Sequence, residues 1–239
     1  MDELQILKEL EKYDTPSITN VVATYPGDKE NCLGLYDPWL VNWYTDQTLK
    51  CMYPELGPRA GLAVTCVVGL KDPNFTRLSW DDVYRAIGNA GGPVILVIKQ
   101  ELPAEIKNKN GLSGGNLTTA FKACGAVGVI SDGPSRDIDE IRPKKIQYML
   151  TGVTAGHGDF SLKAVNVPVR VCGMDVCPGE IIHMDENGAV KFPAGKLEQV
   201  AGLAEKLAIK EQQRMAGIAK CKTAKQIMRV MAGFEAGDE

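Results

Sequence analysis

Three apolar, largely β-branched runs restrict the fold of this chain more than any other feature, because such runs form strands that are buried on both faces of a sheet. They are GLAVTCVV at 61–68, VILVIKQ at 94–100 and AVGVIS at 126–131. Helical patterns separate them, one opened by a Ser79 cap and one over about 116–124. Strands that alternate with helices in this way predict an α/β fold.

The two ends of the chain and one long segment complete the predicted organisation of a single domain over 1–239. Residues 25–56 combine Pro, Gly, Asp, Asn and aromatic side chains without a sustained period, which predicts an irregular insertion that serves as a lid or as a contact with a partner subunit. Residues 196–232 have the pattern of one long helix with weak points only at Gly202 and Gly217, and this helix either contacts a neighbouring subunit or ends as a solvated tail. The remaining predicted elements are helices at 3–13 and 16–24 and strands at 167–173, 180–185 and 189–192.

Charge and composition exclude several classes of function. Lys and Arg number 27 against 30 Asp and Glu, a net charge of −3, so the chain lacks the basic excess that direct nucleic-acid binding requires. No apolar run reaches the ~20 residues of a membrane-spanning helix, and the acidic amino terminus is unlike a secretory signal or a transit peptide. The cysteines form no C-x-x-C pair, which predicts scattered buried thiols rather than a zinc or redox site. We therefore expect a cytoplasmic protein that binds neither nucleic acid nor membranes.

A pair of glycines, Gly114 and Gly115, stands just before the helix predicted at 116–124. At a helix start the first amide N–H groups have no intrahelical partners, and without side chains the backbone can approach a bound anion closely. A small carboxylate would fit such a site. The alternative is that the two glycines form a tight turn without any ligand.

Charged residues crowd together where the strand at 126–131 ends. Because open α/β sheets bind ligands beyond the carboxyl ends of their strands, this cluster and the glycine pair are expected at the same edge. An Arg side chain offers a planar fork for a carboxylate, and Asp ligates a hard divalent cation that keeps most of its waters. The alternative for such a run is a solvated surface. The cluster consists of Asp132, Arg136, Asp137, Asp139 and Glu140.

Residues 114–140, GGNLTTAFKACGAVGVISDGPSRDIDE, resemble the signature of a known family. This family contains regulator of ribonuclease activity A and the 4-hydroxy-4-methyl-2-oxoglutarate aldolases, and is also catalogued as demethylmenaquinone methyltransferase-like. GPRAGLAVTC at 57–66 and the segment 165–193 resemble further parts of the family pattern, so that only the insertion before residue 57 and the end of the last helix lie outside it. The methyltransferase label is discounted, because no glycine-rich loop for S-adenosylmethionine is visible.

This resemblance implies a three-layer β/β/α sandwich similar to the swivelling phosphohistidine domain, with helices at both ends of the chain. It also implies a trimer or hexamer with sites at subunit interfaces. The implied function is that of a lyase that depends on Mg²⁺ or Mn²⁺ and releases pyruvate from a 2-oxo acid, by retro-aldol cleavage of a 4-hydroxy-2-oxo acid or by decarboxylation of an oxaloacetate-like substrate. Two alternatives remain open: a non-catalytic regulator that binds a protein partner, as the ribonuclease regulator does, and a metal-independent role on a sugar acid.

The resemblance also implies a role for each site residue, carried over by position. Arg136 would bind the carboxylate and keto oxygen of a pyruvate-like substrate, and the backbone N–H groups of Asn116 and Leu117 would hold the carboxylate. Asp137 would ligate the metal directly, and Glu140 would hold it through water. The metal would act as a Lewis acid for the enolate that forms when the C–C bond breaks.

One departure from the family pattern concerns the proton that this enolate must take up. At the position of Gly115 the aldolases have Asp or Glu, which holds the protonating water, and glycine cannot replace a carboxylate in proton transfer. Either another group holds the water, or the chain catalyses different chemistry, or it has lost catalysis. His157, in the loop TAGHGDF, is a candidate acid or base, whereas His183 lies in a strand pattern and is expected to be structural.

Overall fold

The apolar runs predicted as strands form the centre of the sheet in the computed structural model, which describes residues 2–25, 30–40, 42–74 and 77–234. Eight strands of the described residues make the main sheet, and two more make a separate hairpin. In chain order the strands are β1 (Lys50–Cys51), β2 (Arg59–Gly69), β3 (Val94–Glu101), β4 (Ala126–Ser131), β5 (Gln147–Leu150), β6 (Ser161–Val165), β7 (Val169–Val171), β8 (Met174–Val176), β9 (Ile181–Asp185) and β10 (Gly188–Phe192). The helices are α1 (Glu3–Leu10), α2 (Thr15–Val22), α3 (Trp80–Gly88), α4 (Ala104–Lys107), α5 (Gly115–Cys124), α6 (Ile138–Ile141), α7 (Leu197–Ala219) and α8 (Ala224–Met231).

Strands β2, β3, β4 and β5 lie side by side in parallel, so their carboxyl ends meet at one edge of the sheet. On the other side of β2, β9 pairs antiparallel with residues 59–62 and β6 pairs antiparallel with residues 66–69. The sheet continues with β10 beyond β9 and with β1 beyond β5. The fold is therefore mixed α/β, as predicted, with antiparallel strands on both sides of a parallel centre.

Alternate side chains of the central strands enter two different cores, as the period of two in a strand requires. Leu96 and Ile98 of β3 belong to the core with α3 and α5, whereas Ile95 and Val97 belong to the core with the β7–β8 hairpin. Helices, main sheet and hairpin thus form three layers. The comparison with the swivelling phosphohistidine domain stays a prediction.

Helices from the two ends of the chain form a third core with β9 and β10. Asp14 caps α2 and Pro16 lies in its first turn, as predicted, because the N–H that proline lacks would have no helical partner there. His183 is buried in β9, where Thr15 Oγ1 lies 2.9 Å from Nδ1 and the Leu10 carbonyl oxygen lies 3.1 Å from Nε2. Burial lowers the pKa of His183, and the structural role predicted for this residue is confirmed.

The prediction of one helix over 196–232 is wrong, since the chain turns between α7 and α8. Thr223 Oγ1 accepts a hydrogen bond from the Gln226 amide at 3.3 Å, and Gln226 Oε1 accepts one from the Thr223 amide at 3.1 Å. This capping box starts a new helix instead of continuing the old one. Gly217, predicted as a weak point, makes room for Val230, whose Cγ1 lies 3.0 Å from where a Cβ atom would stand.

The segment 25–56 is largely irregular where the structure describes it, as predicted, but it also contains β1 and a 3₁₀ turn at Pro54–Leu56. Trp43 and Tyr53 are fully buried, so part of this segment belongs to the core. Its positions 26–29 and 41 lie outside the described residues. A role as a lid or as a partner contact stays a prediction.

Two predictions from composition can be compared with the structure. Among the cysteines only Cys66 is buried, and Cys177 is exposed, so the prediction of buried thiols is wrong for most of them. The thiols at the other positions are partly exposed. No helix in the described ranges is both long enough and apolar enough to cross a membrane.

Candidate active site

Two loops meet at the carboxyl edge of the parallel strands and carry the predicted site residues. One loop leads into α5, which begins at Gly115, and the other follows β4 and leads into α6. Asp137 Oδ2 accepts a hydrogen bond of 3.0 Å from the Gly115 amide, which connects the second loop to the start of α5. The glycine pair and part of the charged cluster therefore lie together, as expected for the carboxyl edge of such a sheet.

The two glycines make room for two carboxylates. A Cβ atom on Gly114 would lie 3.1 Å from Arg136 Nε and closer still to Asp137 Oδ2, and one on Gly115 would lie 2.5 Å from Glu140 Cδ. Real Cβ atoms essentially never come within 3.0 Å of such neighbours. A side chain at either glycine would therefore displace the carboxylate that occupies the space.

Asp137 has a backbone conformation in the left-handed region, with φ 60° and ψ 35°. This region costs an L residue roughly 1–2 kcal/mol, although Asp tolerates it better than most. Asp137 directly precedes α6, yet its side chain does not cap that helix and instead binds the start of α5. Its second oxygen, Oδ1, accepts no hydrogen bond from a described residue, so one carboxylate oxygen remains for a ligand.

Arg136 brings a donor that no group of the described residues satisfies. Its Nε atom is buried and has no hydrogen-bond partner among the described residues, the nearest carboxylate oxygen, Asp137 Oδ2, being 3.7 Å away. A buried donor without a partner costs about 1–3 kcal/mol. A bound anion would remove this cost, which agrees with the role predicted for Arg136 toward a substrate carboxylate.

Further donors come from the first turn of α5. The first helical hydrogen bond runs from Thr118 N to Gly114 O at 3.1 Å, so the amides of Asn116 and Leu117 precede it and lack intrahelical partners. Leu117 packs partly against the core beneath α5, which fixes this turn on the sheet. The predicted anion site therefore has two backbone amides and one guanidinium nitrogen available.

Two of the five charged residues in the predicted cluster lie outside this site. Asp132 is buried, and its carboxylate accepts hydrogen bonds from Lys99 Nζ and Lys107 Nζ, both at 2.7 Å, and from the Gln100 amide at 2.6 Å. The two ammonium groups neutralise its charge, and all three donors occupy its oxygens, so Asp132 is not expected to bind a cation. Asp139 is fully exposed to solvent. The other three members of the cluster come together at the start of α5.

His157 lies in an exposed loop that packs beside the loop before α5. Gly111 N donates a hydrogen bond to Gly156 O at 2.9 Å, and Gly158 N donates one to Asn110 Oδ1 at 3.2 Å. The imidazole Nδ1 lies 3.1 Å from Gly158 O. Within the described ranges, no hydrogen bond or ion pair connects this histidine with the charged residues of the site. Its catalytic role stays a prediction.

The available side chains limit the kind of metal that this site can hold. In the part of the chain that the structure describes, no group of three or more His, Cys, Asp and Glu side chains is arranged to hold a metal ion. Asp137 and Glu140 offer two carboxylates above adjacent glycines, which suits a cation that keeps several waters and takes further oxygens from a substrate. The residues present fit Mg²⁺ or Mn²⁺ and do not fit a closed zinc site.

Known proteins share both the sequence pattern and the fold. The family model described as RraA-like, Aldolase/RraA, matches residues 40–191. The 4-hydroxy-4-methyl-2-oxoglutarate aldolase of Thermus thermophilus is 33% identical over 86 residues, which are 36% of this chain and 52% of that enzyme. An uncharacterized protein of Methanocaldococcus jannaschii is 29% identical over 155 residues, 64% of this chain and 69% of that protein. The match therefore spans about half the length of the Thermus enzyme.

Among solved structures, an unusual member of the RNase ES inhibitor RraA protein family from Streptomyces coelicolor has the same fold, with a TM-score of 0.63 and 18% identity over 87% of this chain and 94% of that chain. The family match begins inside the predicted insertion and stops before α7. The family match thus includes residues 40–56, which the resemblance left outside the pattern, and it excludes residues 1–39 and all residues after 191. Because the family model covers well over half of the sequence, the chain belongs to the RraA-like family.

Proposed function

We propose that the protein is a lyase that depends on a divalent cation and releases pyruvate from a 2-oxo acid. The substrate would be a 4-hydroxy-2-oxo acid that undergoes retro-aldol cleavage, or an oxaloacetate-like acid that is decarboxylated. One observation carries the proposal: adjacent glycines at the start of α5 leave room for the Asp137 and Glu140 carboxylates, beside a buried Arg136 donor that has no partner among the described residues. Relatives named as 4-hydroxy-4-methyl-2-oxoglutarate aldolases support the same reaction class.

Each group of the site would then have a task in binding the substrate or the cation. The substrate carboxylate would bind to the amides of Asn116 and Leu117, and Arg136 would donate hydrogen bonds to the carboxylate and the keto oxygen. Asp137 would ligate the cation with Oδ1 while Oδ2 keeps its hydrogen bond to the start of α5. Glu140 would hold the cation through water. When bound, the cation supplies a Lewis acid for the negative charge that develops on the keto oxygen.

Two groups are candidates for the proton transfer that Gly115 cannot support. The Glu140 carboxylate occupies the space into which a side chain at position 115 would extend, and it would hold a water molecule there. His157 is the second candidate. Exchange of the pyruvate methyl protons with deuterated solvent separates them. If Glu140 holds the water, Glu140→Gln should slow the exchange at least about 100-fold. If His157 transfers the proton, His157→Ala should slow it to the same extent. Exchange that survives both changes would contradict both assignments, and its absence in the wild type would mean that the step is lost.

A regulator that binds a protein partner without catalysis is the alternative function, and the surface of α8 favours it. Met228, Met231 and Phe234 are more than half exposed on this helix and just after it. Neighbouring exposed apolar side chains often mark an interaction site. The same surface would also serve the association into a trimer or hexamer that we propose.

No observation favours a metal-independent role on a sugar acid, and the cytoplasmic location stays a prediction.

Pyruvate release tests the proposed function directly. The wild-type protein is incubated with a panel of 4-hydroxy-2-oxo acids and with oxaloacetate, in the presence of Mg²⁺, Mn²⁺ or EDTA. We expect pyruvate from at least one acid, and only when a cation is present. Asp139→Ala is the matched control, because it removes an exposed carboxylate of the same segment and should retain full activity. No pyruvate from any acid, together with no binding of Mn²⁺, would contradict the lyase and favour the regulator.

A further inference from the structure

A buried cluster of hydroxyl groups joins the two loops of the site. The hydroxyl oxygen of Tyr148, in β5, lies 2.5 Å from Ser113 Oγ and 2.6 Å from Ser135 Oγ, and it donates to the Ser113 carbonyl. Ser135 Oγ also donates to the Ser113 carbonyl. Three hydroxyls and one carbonyl oxygen thus connect the loop before α5 with the residue just before Arg136.

Tyr53 contacts the other end of the loop that contains Arg136 and Asp137. Its hydroxyl donates a hydrogen bond of 2.6 Å to the Ile138 carbonyl, and the Arg142 guanidinium lies 4.9 Å from the centre of its ring. The Ile138 side chain packs against the core on the helix side of the sheet. Tyr53, which follows β1, therefore holds Ile138, the first residue of α6, by a hydrogen bond.

The two phenol rings are stacked, with their centroids 6.3 Å apart and an angle of 11° between their planes. Both residues are fully buried. One hydroxyl contacts the chain before the Arg136–Asp137 pair, and the other contacts it immediately after the pair. The left-handed backbone of Asp137 costs energy and persists only where the surrounding structure holds it.

We propose that Tyr148 and Tyr53 are positioning residues that hold the Arg136 guanidinium and the Asp137 carboxylate against the start of α5. This inference rests on the proposed function, since binding of a cation and a 2-oxo acid is what the positioning serves. Phenylalanine rings would fill the same core, but only the hydroxyl groups reach the two loops. Burial raises the pKa of Tyr148 and of Tyr53, so both phenols stay protonated donors at neutral pH.

Tyr148→Phe tests the proposal, because it keeps the stacked ring and removes the hydroxyl. We expect the affinity for Mn²⁺, measured from the electron paramagnetic resonance of the free ion, and kcat for pyruvate release each to fall about 10- to 100-fold, and KM for the 2-oxo acid to rise because Arg136 is no longer held in place. Tyr53→Phe should act in the same direction. Tyr84→Phe is the control, because this tyrosine borders the same core but contacts Phe121 instead of the two loops. The control should leave all these values unchanged.

Amide hydrogen exchange is a second readout that needs neither metal nor substrate. In Tyr148→Phe, peptides that cover 113–117 and 135–138 should exchange faster than in the wild type, whereas peptides from β3 should not change. Wild-type Mn²⁺ affinity, turnover and exchange in a folded Tyr148→Phe protein would overturn the proposal. If this variant does not fold, Ser135→Ala removes one partner of the same hydroxyl and carries the same expectations.

The same measurements distinguish failure of this proposal from failure of the proposed function. If the wild type binds no Mn²⁺ and releases no pyruvate, the lyase is wrong, and exchange in the two loops alone decides whether the tyrosines hold them. If the wild type binds Mn²⁺ and releases pyruvate, but both tyrosine variants match it, the lyase stands and the positioning role is wrong.

Discussion

Asp132 and Asp137 lie in the same loop, and the structure uses their carboxylates in opposite ways. Asp132 is buried, and two ammonium groups and a backbone amide donate to it. Asp137 is exposed, accepts one amide hydrogen bond, and lies beside a guanidinium nitrogen that has no partner in the described part of the chain. A buried carboxylate whose oxygens are all satisfied stabilises the fold, whereas one that is partly unsatisfied at the edge of a sheet is available to a ligand.

The largest expected effect comes from removing the available carboxylate. Asp137→Ala should lower cation-stimulated pyruvate release by more than about 100-fold, which exceeds the usual loss for groups that only support a metal ligand. Steady-state kinetics over a range of Mg²⁺ concentrations measures this, and the exposed Asp139→Ala is the control. Full cation-stimulated turnover in Asp137→Ala would show that the site lies elsewhere.

Arg136→Ala should act on substrate binding more than on the cation. Loss of a hydrogen bond to a charged group costs about 1.5–3 kcal/mol, so KM for the 2-oxo acid should rise by roughly 10- to 100-fold. The affinity for Mn²⁺ should stay near the wild-type value. An unchanged KM with weakened Mn²⁺ binding would contradict this assignment, because it would indicate that Arg136 supports the cation and not the substrate.

Asp132→Asn should affect stability instead of ligand binding. The change leaves two ammonium groups next to each other without their carboxylate, and we expect the free energy of unfolding in urea to fall by about 2 kcal/mol, less than for fully buried pairs because both lysines are partly exposed. Asp139→Asn should change it by less than about 0.5 kcal/mol. Equal stability of the two variants would contradict the structural role of Asp132.

Stabilisation by the cation distinguishes the two carboxylates in a single thermal experiment. A ligand at ten times its Kd raises the free energy of unfolding by about 1.4 kcal/mol, so Mg²⁺ should raise the Tm of the wild type. Asp132→Asn should keep this increment, although its Tm starts lower, and Asp137→Ala should lose it. An increment that Asp137→Ala retains would indicate cation binding at another site.

The smallest effect concerns the space between Gly115 and Glu140. The φ of Gly115 is not positive, so an L residue can adopt its backbone, and the obstacle to a side chain is the movable Glu140 carboxylate. Gly115→Asp should therefore lower the free energy of unfolding by only about 1 kcal/mol. Glu140→Ala in the same protein should restore most of it, which a double-mutant cycle measures. Additive effects would mean that the two positions do not share this space.

The central strands and helix starts were predictable because their signals are local. The run predicted at 94–100 is β3 to within one residue, and Ser79 caps α3 as predicted, in a capping box with Asp82. The short strands β5 and β6 were not predicted, because four or five residues hardly show a period. The turn before α8 had a local signal in Thr223 and Gln226, but the long helical pattern around it concealed the break.

By itself, the sequence determined which chemical groups gather at one edge of the sheet: a glycine pair, an arginine and several carboxylates. Only the tertiary structure decided that lysines neutralise Asp132, that Glu140 lies over Gly115, and that two tyrosines hold the loop between them. The physical reason is that contacts inside a helix or strand follow from residue spacing, whereas contacts between loops depend on how the whole sheet packs. Tyr53 and Ile138, which are 85 positions apart, meet only because that packing brings them together.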